Sequence, residues 1–171
     1  MGQLLYPKEV FEEMAGAGSV LLCAALPLLW LRCRPTVFEY VSVLAVSCVA
    51  LFTLLGADVR LTVPLSYALF GLMWFVTGFM KIPLTAHYSQ NAYGGGKALS
   101  NPLFVRTNRI LTFCWGALYM VTPAWTFALL GTDVSYLTGA FNSVLPALMA
   151  LFTLWFQRWY PARYARGQRR G

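Results

Sequence analysis

Five apolar runs organise this sequence, at Ala17–Leu31, Val37–Leu55, Leu61–Met80, Ile110–Leu130 and Tyr136–Phe156. A helix that crosses a bilayer needs about 20 predominantly apolar residues. The last four runs have that length. The first reaches it when extended backward through Met14. Lipid offers no partner to backbone N–H and C=O groups, so a spanning segment of this kind must be helical. Barrel strands alternate in polarity and run to about ten residues, and these runs do neither. The expected fold is therefore an all-α polytopic membrane bundle of five transmembrane helices.

Composition agrees. Hydrophobic residues make up 58% of the 171-residue chain and charged residues 11%, against about 25% charged in an average soluble domain. A soluble domain of this size leaves too much surface in water to hide so many apolar side chains. The sequence divides into an interfacial segment (1–16), a membrane domain (17–156) with one long connection (81–109), and a basic tail (157–171) read as partly disordered. In the N-terminal segment, Val10, Phe11 and Met14 recur at helical spacing among acids, as in a helix lying in the membrane surface. With Lys8 set against Glu9, Glu12 and Glu13, it lacks the basic start of a secretory signal, and the first run reads as retained.

The positions of the charges give an orientation. With five spans and the N-terminus outside, Arg32, Arg34, Lys81, Lys97, Arg106, Arg109, Arg158, Arg163, Arg166, Arg169 and Arg170 fall inside, and Lys8 and Arg60 outside. Lys and Arg concentrate in cytoplasmic loops, so the C-terminus is expected to be cytoplasmic. Trp30, Tyr136, Trp155, Trp159 and Tyr160 lie near run ends, where interfacial aromatics belong. A four-span alternative, with the first run lying in the interface, moves only the N-terminus. The net charge of +7 is explained by this topology, and nucleic-acid binding is not expected.

Chemistry-bearing motifs are few. The cysteines Cys23, Cys33, Cys48 and Cys114 form no CxxC pair, and the sequence calls for neither a metal nor a cofactor. The polar density lies in the 81–109 connection, which holds the single histidine, His87, beside Tyr88 and Ser89. A lone histidine can act as a general base, but no acid follows closely to orient it. Gly94-Gly95-Gly96-Lys97 falls short of a phosphate loop, which needs glycine where Asn91 sits and Ser or Thr where Ala98 sits. It reads as a flexible turn whose Lys97 can meet an anionic headgroup. Arg106 and Arg109, three apart, share a helix face. His87, Tyr88, Lys97, Arg106 and Arg109 are the candidate ligand- or headgroup-binding residues, and no catalytic residue is assigned.

Within the runs, Glu39 stands near the start of the second. Ionisable groups at membrane depth are expensive and are usually paired or functional, and an ion pair from Glu39 to Arg109 or Arg106 is one expectation for it; a Glu facing headgroups is the other. The other polar side chains picked out are hydroxyls, including Thr112, Thr122, Thr126 and Thr153. Pro27, Pro123 and Pro146 are expected to kink their helices. Gly71 and Gly78, seven apart on one face of the third run, suit close helix packing, either within the bundle or in a dimer seam.

Arg34-Pro35-Thr36-Val37, Pro83-Leu84-Thr85 with Tyr88-Ser89, Asn101-Pro102-Leu103-Phe104, and Val105-Arg106-Thr107-Asn108-Arg109 leading to Trp115-Gly116 resemble small bacterial inner-membrane proteins, among them the intracellular septation protein A family. That resemblance implies a scaffold in envelope synthesis and division, without catalysis. The reading these features favour is a non-enzymatic protein of the bacterial cytoplasmic (inner) membrane. It would bind anionic lipid or a protein partner through its long inner loop and basic tail. A small homodimeric channel or transporter, and a membrane enzyme using the 81–109 loop, are the alternatives.

Overall fold

The computed structural model describes residues 37–130 and 132–168; the N-terminal segment, the first apolar run with Pro27, and the last three residues lie outside them. Among the described residues the chain is all-helical, with no strand. Helix α1 (Val37–Leu54) and α2 (Val59–Gly78) precede a short helix α3 (Leu84–Ser89). Two 3-10 turns follow (Gln90–Tyr93 and Gly95–Ser100), then the long helices α4 (Pro102–Leu130) and α5 (Tyr136–Gln168). Three helices, α2, α4 and α5, are long and apolar enough to cross a membrane. The apolar stretch of α1, Phe38–Thr53, is shorter.

Turn chemistry accounts for the α1–α2 connection. Gly56 has φ +90°, the left-handed conformation that glycine takes without strain. The N–H of Gly56 donates to the Thr53 carbonyl and that of Ala57 to the Phe52 carbonyl, each at 3.0 Å. This pair of bonds closes a helix in the Schellman manner. Asp58 then caps α2, its side chain accepting from the Arg60 N–H at 2.9 Å. Helix reversal thus takes four residues, and α1 and α2 lie antiparallel against each other, with Thr53 Oγ1 3.3 Å from Thr62 Oγ1.

Each long helix packs on the next in the order α1, α2, α4, α5, and the α2–α4 contact is the most extensive. Glycine makes that contact possible. A Cβ on Gly71 would fall 2.6 Å from the Met120 backbone nitrogen, one on Gly78 2.6 Å from the Phe113 ring, and one on Gly116 3.0 Å from the Phe75 nitrogen. The small-residue face of α2 is therefore packed inside the bundle. Aromatic rings fill the seam on either side: Trp74 lies 5.6 Å from Trp115, and Phe113 5.0 Å from both Phe75 and Phe79.

The outward faces stay apolar. Leu148, Leu151 and Leu154 on α5 are 55%, 64% and 60% exposed. Water would penalise so broad an apolar surface, whereas lipid would not.

Two helix ends depart by more than two residues from the expected boundaries. Helix α4 begins at Pro102 instead of Ile110, because Asn101 caps it. The Asn101 Oδ1 accepts from the N–H of Leu103 at 2.9 Å and of Phe104 at 3.4 Å, and Pro102 fills the first helical position, where no N–H is needed. Helix α5 continues past Phe156 through Gln168, so the described part of the basic tail is helical. At 1.5 Å per residue, 29 and 33 residues give lengths of about 43 and 50 Å. Both exceed the roughly 30 Å of a hydrocarbon core. The two helices project together beyond the apolar zone, at the end where the 81–109 connection also lies.

Candidate functional site

The 81–109 connection is a folded cap on one end of the bundle. Pro83 stands at the start of α3 with extended backbone. Gly94 and Gly95, at φ +96° and +70°, turn the chain between the two 3-10 segments, as expected of a glycine turn. Lys97 lies exposed in the second of these segments.

A buried polar cluster holds α3 in place. Thr85 and Ser89 are one turn apart on α3, and Asn108 and Thr112 one turn apart on α4. The two pairs face each other. Asn108 and Thr112 have no exposed surface. The Asn108 Oδ1 accepts from Ser89 Oγ at 2.9 Å and from Gln157 Nε2 of α5 at 3.0 Å, while its Nδ2 donates to the Phe104 carbonyl at 2.9 Å. Thr112 Oγ1 lies 2.9 Å from Thr85 Oγ1 and accepts from the Thr85 N–H at 3.2 Å. Each hydroxyl has one proton, so Ser89 shares its own between Asn108 and the Thr85 carbonyl, 2.7 Å away. One carboxamide therefore ties three helices together, as polar side chains do between membrane helices.

The charged candidates separate into different places. Arg109 Nη2 donates to the Met80 carbonyl at 3.0 Å and the Lys81 carbonyl at 3.2 Å, fixing the chain just past the C-terminal end of α2. That end carries partial negative charge, which favours a cation. These bonds direct the guanidinium. Glu39 lies in the first turn of α1 and reaches Tyr88 electrostatically. Tyr88 is half exposed; burial of the rest, with the Glu39 carboxylate adding to it, pushes its phenol up to about 12.

Two clefts flank the C-terminal end of α2. The first, about 750 Å³, runs between α1, α2 and α3 and is apolar, with His87 among its lining side chains. The second, about 730 Å³, brings Lys81, Arg106 and Arg109 together over Ile82, Val105, Ile110 and Phe113. The structure thus joins Arg106 and Arg109 to Lys81 and sets His87 in the other cleft. Neither Tyr88 nor Lys97 lines either one. The guanidinium carbon of Arg106 also lies 6.0 Å from the Tyr164 ring centroid, linking the start of α4 to the end of α5.

The hydroxyl reading of the spans leaves out Asn142, a carboxamide within the fifth run. Its Oδ1 accepts from Trp125 Nε1 at 2.9 Å, and its Nδ2 lies 3.3 Å from Thr126 Oγ1. Farther along the same seam, Trp115 Nε1 donates to Thr153 Oγ1 at 3.0 Å. The polar positions of α4 at 108, 112, 115, 122 and 126 recur at helical spacing, a signal present in the sequence once α4 is started at Pro102.

No family model, curated protein or solved structure matches this chain.

Asn142→Leu would remove the acceptor of the Trp125 indole N–H. Interhelical hydrogen bonds of this kind contribute about 0.6 kcal/mol on average and up to about 1.7 kcal/mol. Thermal unfolding of the detergent-solubilised variant is expected to show a loss of that size, and Trp125→Phe in the same background should cost little more.

Proposed function

We propose that the protein is a non-enzymatic, five-span protein of a bacterial cytoplasmic membrane, with the N-terminus outside. It binds anionic lipid at the inner surface through the folded 81–109 cap and the basic C-terminal helix. The observation that carries this reading is the continuation of α5 beyond its apolar stretch as a helix bearing Arg158, Arg163 and Arg166 beside Trp159 and Tyr160. The Arg163 guanidinium carbon lies 5.5 Å from the Trp159 ring centroid. Cations interleaved with amphipathic aromatics suit the headgroup layer, where the rings sit at the interface and the guanidinium groups meet phosphates. The distribution of Lys and Arg supports placing this end inside.

Each basic residue near an anionic leaflet contributes about 1 kcal/mol. Replacing Arg158, Arg163 and Arg166 together by glutamine is therefore expected to remove most of the preference for phosphatidylglycerol over phosphatidylcholine in mixed-lipid nanodiscs. The measurement is the ratio of the two lipids recovered with the protein, at low and at moderate salt. Because the charges are exposed, the preference of the unaltered protein should fall as salt rises. An equal ratio in variant and parent would overturn the reading.

A further inference from the structure

We infer that the cleft between the end of α2 and the start of α4 is a discrete, saturable site for the phosphate headgroup of one anionic phospholipid. The inference rests on the reading above, which places this end of the bundle at the inner membrane surface, and it assigns one lipid to one site instead of a diffuse basic surface.

Three cationic side chains, Lys81, Arg106 and Arg109, line a single cleft of about 730 Å³, and no acidic residue is among the lining residues. Like charges gathered without a counter-charge repel one another, and an anion seated among them relieves that cost. Arginine suits phosphate in particular, because its planar fork makes paired charge-assisted bonds to two oxygens. Pro102, at the N-terminal end of α4, also lines the cleft, and the partial positive charge of a helix start adds to the field.

Arg109 is only partly engaged. Its Nη2 is held by the Met80 and Lys81 carbonyls, while its Nε–H is buried and has no acceptor among the described residues. A buried donor without an acceptor is costly. Arg106 is braced against Tyr164, which fixes one wall of the cleft to α5.

The rest of the lining decides for a lipid over a free anion. Below the cations the wall is Ile110 and Phe113. Phe113 continues into Phe79, 5.0 Å away between ring centroids and 75% exposed. An acyl chain descending from the headgroup would run over this apolar strip, which offers nothing to inorganic phosphate.

The test uses the full chain in a mild non-ionic detergent, titrated with phosphatidylglycerol or with phosphatidylcholine of the same chains and read by native mass spectrometry. The unaltered protein should take up one phosphatidylglycerol well before any further copies. Lys81→Gln with Arg106→Gln should weaken that first binding at least tenfold, whereas Arg60→Gln, at the opposite end of α2, should leave it within twofold, and Arg158→Gln with Arg163→Gln should act mainly on the copies that follow. Lys81 and Arg106 are exposed, and Lys81→Gln alone, which leaves the backbone carbonyl to Arg109, serves where the double variant loses thermal stability. A first binding unchanged in the Lys81 and Arg106 variants, but lost in the tail variant, would overturn this inference and leave the broader reading intact. A parent protein with no preference for phosphatidylglycerol would overturn both. Displacement of the lipid by millimolar inorganic phosphate would overturn the assignment to a lipid.

Discussion

Gly71→Ala is expected to destabilise the protein by about 1–3 kcal/mol, the usual cost of forcing extra atoms into a packed interior. The added Cβ would lie 2.6 Å from the Met120 nitrogen and 2.8 Å from the Tyr119 carbonyl carbon. Both are backbone atoms, so no side chain can swing aside, and α2 must move away from α4. That movement would also loosen the Gly78–Phe113 and Gly116–Phe75 contacts along the same seam. The same substitution at Gly139 provides the contrast, because a Cβ there meets nothing within 4 Å. Alanine is favoured over glycine in a helix by roughly 0.5–1 kcal/mol, so Gly139→Ala should be neutral or stabilising. Thermal unfolding of both variants in one detergent, followed by circular dichroism, compares one chemical change at two sites. Equal midpoints would mean that α2 and α4 do not approach as closely as described.

Asn108→Ala is expected to cost about 2 kcal/mol. Removing one partner of a buried hydrogen bond leaves the other unsatisfied, at roughly 1–3 kcal/mol. Gln157 Nε2 would lose its Asn108 acceptor in a position only 9% exposed. Ser89 would suffer less, since the Thr85 carbonyl remains 2.7 Å from its hydroxyl. A methyl in place of a carboxamide also leaves a void that neighbouring helices fill only in part. The loss should be local as well as global: amide hydrogen exchange in Leu84–Ser89 should speed up more than in α2. Replacing both Asn108 and Gln157 by leucine should recover part of the stability, because apolar groups of similar shape leave no orphaned donor. An Asn108→Ala protein with the parent's midpoint and exchange rates would show that the cap is held by something other than this cluster.

Much of the architecture was legible in the runs themselves. Helix α5 starts at Tyr136, as its apolar run indicates. The glycine pair on α2 was readable as a packing face, though whether it packed inside the bundle or between copies was not. The helix ends were less legible. Asn101 and Pro102 together are a recognisable helix start, yet the polar residues after them read equally well as loop. In α5 the stretch after Phe156 is basic and carries Pro161, features that argue for termination, and the helix continues nonetheless. Gln157 bonds it to Asn108, and Tyr164 stacks beneath Arg106.

The division has a physical cause. Transfer of a side chain from water to lipid is a property of that side chain, nearly additive along the chain, so a run of apolar residues implies a spanning helix without knowledge of its neighbours. A buried hydrogen bond is a property of two groups brought together. Asn108 meets Ser89, 19 positions away, and Gln157, 49 positions away, only after α3 has folded back and α5 has docked. Among the described residues, the sequence by itself determined which segments are apolar helices and where the positive charge collects. The tertiary structure decided that polar residues of the connection would be buried as a clasp, and that Lys81, Arg106 and Arg109 would share a cleft from which His87 is set apart. Those pairings depend on loop closure and helix contact, which no local property of the chain encodes.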